Sequence, residues 1–146
     1  MILPMRPGHI ASIATLEAAC FSTPWEEAAI CAELNNPLAL WLVAEAGDGA
    51  VQGYVGSQIC FENADILNVA VDPAFRRQGI AADLMQTLES RLAQKGVETI
   101  TLELRCSNEA ALRLYEKVGY AKIGLRKGYY EKPREDALIL QKPISP

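Results

Sequence analysis

Apolar positions recur with two different periods along the chain, and the switches between them mark its elements. After a short strand near Ile2 to Met5, the residues Ile10, Ile13, Leu16 and Ala19 or Cys20 repeat at helical spacing. A shorter helix is expected after the Thr23-Pro24-Trp25 break, with Thr23 as its cap, and Asn35-Asn36-Pro37 ends it. Leu38 to Ala46 and Val51 to Phe61, separated by Gly47-Asp48-Gly49, read as a strand pair, and Ala64 to Val71 as a third strand of the same antiparallel meander. Beyond Val71 the period changes. A helix from about Gly79 to Lys95 carries Ile80, Leu84, Leu88 and Leu92 on one face and closes at Lys95-Gly96. Glu98 to Arg105 then alternates as a strand. Ser107 or Asn108 caps a helix bearing Ala111, Leu114, Tyr115 and Val118, which Gly119 stops. Tyr120 to Leu125 and Ala137 to Leu140 form a closing hairpin, with Gly128 to Pro133 as its loop. The expected fold is mixed α/β: a sheet of about six or seven strands, antiparallel in its first half and parallel βαβα in its second, flanked by about four helices.

Residues 1–146 contain no linker-like stretch, repeat or low-complexity block, so a single domain is expected. A chain of this length buries about 70% of its unfolded surface, enough for one core. The longest apolar run, Leu38 to Ala44, has seven residues, well short of the roughly 18 that suggest a membrane span. The opening MILPMRPGHI lacks the features of a secretory signal, and the cytoplasm is the expected compartment. Four widely spaced cysteines, Cys20, Cys31, Cys60 and Cys106, and one histidine, His9, lack zinc-ligand spacing, so no metal is expected and the thiols are read as packed small hydrophobes. His9 is read as a surface or capping residue. With a net charge of -4, the chain has no basic stripe suited to DNA, and neither a DNA partner nor a membrane is expected; a monomer is the simplest oligomeric state.

The turn before the second long helix is odd for a plain connector. In Asp72-Pro73-Ala74-Phe75-Arg76-Arg77-Gln78-Gly79-Ile80-Ala81, two arginines sit where the helix dipole favours negative charge. An anion bound between them resolves the conflict, with Gly79 letting backbone approach and Ala81 staying small; a solvated basic turn is the alternative. The run Arg76-Arg77-Gln78-Gly79-Ile80-Ala81, preceded by Asn68-Val69-Ala70-Val71, resembles the Q/R-x-x-G-x-G/A acetyl-coenzyme A signature of the GCN5-related N-acetyltransferases. The resemblance implies that Arg76, Arg77, Gln78, Gly79, Ile80 and Ala81 meet the phosphates of acetyl-coenzyme A. It also implies that the sheet splays after this strand and that Val69 and Val71 offer backbone groups to the pantetheine arm.

In Thr99-Ile100-Thr101-Leu102-Glu103-Leu104-Arg105 one face is apolar and the other polar, whereas a strand central to a parallel sheet is normally apolar on both. Either one face opens onto a cleft or helix cover is incomplete. Glu103 alone reads equally as a solvated or salt-bridged residue, and Tyr115 as a core tyrosine. The stretch from Leu102 through Ala111 and Leu114 to Tyr120 resembles RimI-type ribosomal-protein alanine N-acetyltransferases. By that resemblance Glu103 is the general base, Asn108 contacts the coenzyme arm, and Tyr115 is the general acid toward the departing thiolate. An α-amine, with a reference pKa of about 8, asks less of such a base than a lysine near about 10.4. Direct attack requires an oxyanion donor, for which the N–H of Val69 or Val71 is the candidate, and no covalent acyl-enzyme.

Arg126-Lys127-Gly128-Tyr129-Tyr130 and Glu135-Asp136-Ala137 resemble the RxxYY and (E)DA signatures of acetyltransferases acting on protein N-termini. Tyr129 and Tyr130 are thereby implied to clamp the acceptor backbone, and Trp25, within Phe21-Ser22-Thr23-Pro24-Trp25, to wall the groove or else anchor the core. The activity implied is acetyl transfer from acetyl-coenzyme A to the α-amine of a protein, a ribosomal protein starting with alanine. A small-molecule amine acceptor and a non-catalytic acyl-coenzyme A sensor are the alternatives.

Overall fold

The period-two segments join into one seven-stranded sheet in a computed structural model that describes residues 1–145. Its strands are β1 (Ile2–Pro4), β2 (Ala39–Glu45), β3 (Val51–Cys60), β4 (Asn63–Val71), β5 (Thr99–Arg105), β6 (Ala121–Tyr130) and β7 (Glu135–Pro143), in spatial order β1-β2-β3-β4-β5-β7-β6. The helices are α1 (Ile10–Cys20), α2 (Glu27–Glu33), α3 (Ile80–Gln94) and α4 (Glu109–Lys117). Strand alternation divides the core into two layers. Leu42, Ala44 and Val55 join Leu84, Leu88 and Leu92 of α3 and Tyr115 of α4 on one face. Trp41, Val43 and Tyr54 join Ile10, Ile13 and Leu16 of α1 and Ile30 of α2 on the other. Gly56 of β3 lies against Trp41, whose ring would be 2.6 Å from any Cβ added there.

Coverage is unequal. The layer under α1 and α2 draws its buried strand residues from β2, β3 and β4, leaving β5, β7 and β6 without a helix on that side. β4 and β5 run parallel, as the crossover through α3 requires, but their register covers only Asn63↔Thr99, Ala64↔Ile100 and Asp65↔Thr101. From Ile66 onward the two strands part, which is the expected splay. On its other edge β4 stays paired to β3, with a bulge opposite Gly56 and Ser57 that absorbs Leu67.

Several local expectations change. β7 inserts antiparallel between β5 and β6, so β6 runs in the direction of β5 without pairing to it. Tyr129 and Tyr130 end strand β6 instead of lying in the hairpin loop. The reason is a bulge: Arg126 pairs with Ala137 and Tyr130 with Glu135, so residues 127–129 carry two extra positions, and Gly128 supplies the left-handed φ of 61° this needs. Thr23 does not cap α2, which starts at Glu27 with Glu26 in the cap position. Cys31 and Cys60 are exposed, not packed, because both lie outside the buried faces of their elements; Cys20 and Cys106 are half-buried, and all four are free. His9 is buried, not on the surface: its Nδ1 accepts from the Arg6 N–H at 3.0 Å and its Nε2 lies 2.7 Å from Glu45, so it caps the short turn before α1. Among the described residues no helix is long and apolar enough to cross a membrane.

Candidate active site

The polar residues of β5 occupy the uncovered face, Thr99 and Thr101 where β4 is still paired and Glu103 and Arg105 beyond the point where it leaves. Thr99 and Thr101 both donate to Asn63 Oδ1 at 2.9 Å, Glu103 pairs with Arg126 at 3.4 Å, and Arg105 pairs with Glu135 at 3.3 Å. Leu102 and Leu104 point the opposite way into the core. Glu103 is thus a partly exposed carboxylate whose partner, Arg126, is itself 56% exposed at the side chain.

Tyr115 lies in the core layer on the other side of the sheet, only 6% exposed, edge-on to Tyr120 with ring centroids 5.7 Å apart. Burial raises its pKa, with a further push from Tyr130, so the phenol stays protonated across the working range. Its hydroxyl is not among the fully enclosed, unpartnered side-chain groups, whereas that of Tyr120 is. Tyr130 is pushed up to about 12, first by burial, then by Tyr129 and Glu103.

Tyr129 and Tyr130 stand nearly perpendicular, centroids 5.0 Å apart, with Arg126 over Tyr129 at 5.7 Å and Arg105 over Tyr130 at 4.5 Å. The acidic pair that follows explains how these tyrosines are held. Glu135 accepts from Arg105 and, at 2.6 Å, from the N–H of Ser107 at the start of α4; Asp136 accepts from the Gly128 N–H at 2.8 Å and pins the bulge. Trp25 is half-buried and edge-on to Trp41 at 5.5 Å, packed on the edge of the core layer under α1 and α2.

At the start of α3, Gly79 is left-handed (φ 75°) and provides no side-chain cap; the first helical bond runs from Asp83 N–H to Gly79 O. The N–H groups of Ile80, Ala81 and Ala82 have no partner among the described residues. Arg77 adopts φ 65°, an expensive conformation for a residue with a Cβ, of the sort that marks ligand-binding turns. Arg76, Arg77 and Gln78 are all exposed, and Arg76 Nε donates to Val71 O at 3.3 Å. Asn108 caps α4, accepting from the Ala111 N–H at 3.1 Å. Val69 and Val71 lie on the part of β4 that has left β5.

Glu17, Glu33 and Ser57 are buried polar groups that escaped the sequence reading. Glu17 is fully buried and receives the Tyr54 hydroxyl, the Asn68 amide at 3.0 Å to each oxygen, and the Trp25 N–H at 2.8 Å. The signal was present: Glu17 follows Ile13 by four positions and Ile10 by seven, a core position of α1.

A mixed sheet splayed at one seam, with a helix N-terminus beyond it, is the architecture of an acyltransferase: residues 10–120 match the acetyltransferase (GNAT) family, and the chain belongs to it. Within that family it is 33% identical over 132 residues to the [ribosomal protein bS18]-alanine N-acetyltransferase of Escherichia coli (strain K12), covering 89% of this chain and 88% of that one. A Bacillus subtilis (strain 168) relative is 37% identical over 137 residues, 93% of this chain and 90% of its own. The crystal structure of the ribosomal-protein-S18-alanine N-acetyltransferase from Escherichia coli superposes with a TM-score of 0.88 at 30% identity, covering 100% of this chain and 94% of that one.

Proposed function

We propose that this acyltransferase transfers the acetyl group of acetyl-coenzyme A to the N-terminal α-amine of a protein, specifically a ribosomal protein that begins with alanine. The observation that carries this reading is the polar, uncovered end of β5, where Glu103 stands two positions beyond the last residue paired to β4 and pairs with Arg126 of the strand that ends in Tyr129 and Tyr130. The activity named for the relatives supports the choice of acceptor.

The residues present fit acetyl-coenzyme A. Three unpartnered N–H groups, the left-handed Gly79 and the exposed Arg77 and Gln78 suit a pyrophosphate, with Arg76 and Ile80 and Ala81 completing the turn. The freed edge of β4 at Val69 and Val71 and the amide of Asn108 suit the pantetheine arm. When bound, acetyl-coenzyme A supplies the acetyl group as an activated thioester. Glu103 takes the proton of the incoming α-amine, directly or through water. Its resting partner Arg126 is an exposed pair, weakly held, and gives way to the arriving ammonium. Tyr115, kept protonated by burial, presents a proton to the departing sulfur. Trp25, Tyr129 and Tyr130 border the acceptor, and no cysteine is needed as a nucleophile.

The test is acetyl transfer to paired peptides, one with a free N-terminal alanine and one N-terminally blocked with an internal lysine. Turnover of the free N-terminus alone is expected. Turnover of neither, with acetyl-coenzyme A still bound, overturns the reading in favour of a small-amine acceptor or a sensor.

A further inference from the structure

We infer that Arg105 is a positioning residue that sets the width of the acceptor groove by tying its two walls together. The inference rests on the acceptor reading above. Arg105 ends β5, two residues beyond Glu103 and on the same face. Its Nη1 donates to Pro133 O at 2.9 Å and Glu135 Oε1 at 3.3 Å; its Nη2 donates to Glu131 O at 3.1 Å and Ser22 Oγ at 3.1 Å. Its guanidinium carbon lies 4.5 Å from the Tyr130 ring centroid.

These contacts belong to two separate pieces of chain. Glu131, Pro133 and Glu135 form the β6–β7 turn beside Tyr129 and Tyr130, and Glu135 also holds the Ser107 N–H that begins the helix carrying Tyr115. Ser22 belongs to the α1–α2 connection that carries Trp25. Because the layer under α1 and α2 stops at β4, no helix spans the gap between these pieces. Among the described residues, the Arg105–Ser22 bond is the sole hydrogen bond or ion pair joining residues 21–26 to β5, β6 or β7.

The chemistry selects arginine. Four acceptors lying in different directions need a planar fork with several donors, and two of them are turn carbonyls that otherwise depend on water. A lysine at this position keeps the charge and the pairing with Glu135 but has three donors on one atom and no fork. The hairpin could be held by three of the four contacts; the fourth, to Ser22, contributes to nothing except the spacing of the walls.

The experiment compares wild type, Arg105→Lys, Ser22→Ala and the double variant, measuring KM for an N-terminal alanine peptide, KM for acetyl-coenzyme A, kcat and thermal midpoint. Arg105→Lys should raise the peptide KM about tenfold, with the acetyl-coenzyme A KM within about twofold of wild type. Ser22→Ala, on an exposed residue, should raise the peptide KM about threefold with an unchanged thermal midpoint, and should add nothing in the Arg105→Lys background. A purely structural arginine would instead lower the thermal midpoint and kcat with both KM values intact, which overturns the inference, as do additive effects of the two substitutions. If Arg105→Lys fails to fold, Ser22→Ala decides alone: a peptide KM within about 1.5-fold of wild type overturns the clamp. Active wild type with unchanged variants removes only the role of Arg105, whereas wild type inert on the peptide overturns the acceptor reading and this inference together.

Discussion

Replacing Glu17 with alanine should destabilise the protein by about 3–5 kcal/mol, a large share of the roughly 5–15 kcal/mol that holds a domain of this size. The figure follows from what the carboxylate leaves behind. Tyr54 is fully buried, so its hydroxyl loses its acceptor where water cannot replace it, a loss of about 1–3 kcal/mol. The Asn68 amide and the Trp25 N–H are half-buried and recover partly through water, at about 1 kcal/mol each. Glu17→Gln should cost much less, about 1–2 kcal/mol, because one oxygen still accepts from Trp25 and Asn68 while the new amide donates to a rotated Tyr54 hydroxyl. Thermal unfolding followed by far-UV circular dichroism reads the difference, with the midpoint about 10–15 °C lower for alanine and about 3–6 °C lower for glutamine. Glu17→Leu combined with Tyr54→Phe should recover part of the loss of Glu17→Leu alone, since donor and acceptor are then removed together. A loss below about 1 kcal/mol for alanine, or equal losses for alanine and glutamine, refutes the argument that unpaired buried donors dominate.

Glu103→Gln should lower kcat/KM by roughly 10²–10⁴ and flatten the acidic limb of the pH profile; unchanged kinetics remove Glu103 from the proton path. Tyr115→Phe should lower kcat while acetyl-coenzyme A affinity stays within about twofold, and a loss of stability with kcat intact would make it a core tyrosine only. Glu135 is held below its ordinary value of 4.5 by Ser107 and, less strongly, by Arg105, against the upward push of burial. A carboxyl with a depressed folded pKa contributes stability above its unfolded value and loses it as pH falls through the folded one, so that contribution should decay downward from about pH 4.5. Urea midpoints of wild type and Glu135→Gln should therefore converge as pH drops below 4.5, and parallel curves would show that the Ser107 and Arg105 contacts carry no such linkage.

The parts of the fold that were legible in the sequence are those whose evidence is local. The face of α3 defined by Leu84, Leu88 and Leu92, the stop at Gly119 and the half-polar character of β5 each follow from spacing within one element, and each holds in the structure. What was not legible depends on partners far along the chain. Gly128 reads as turn chemistry until Asp136 is known to hold its N–H, which converts the turn into a bulge and carries Tyr129 and Tyr130 into the strand. Thr23 reads as a cap until Glu17 is known to take the Trp25 N–H, which accompanies the later start of α2. Arg105 reads only as a polar-face residue of its strand, because its four acceptors lie between 26 and 83 residues away.

The same imbalance that makes the sheet incomplete makes it useful. Two helices on the α1–α2 side cover β2 to β4, and the polar side chains of β5 would be a liability under a third helix, since Glu103 and Arg105 would then be buried with only each other's neighbours as partners. Left uncovered, they stay partly hydrated and pair with Arg126 and Glu135 from the neighbouring hairpin. The parting of β4 from β5 after three paired residues leaves the Glu103 end of β5 without a β4 neighbour, while Tyr115 sits in the opposite layer. The proposed reaction asks for a base that meets water and an acid that keeps its proton, and the two faces of the sheet offer those opposite environments, Glu103 partly exposed on one and Tyr115 buried on the other.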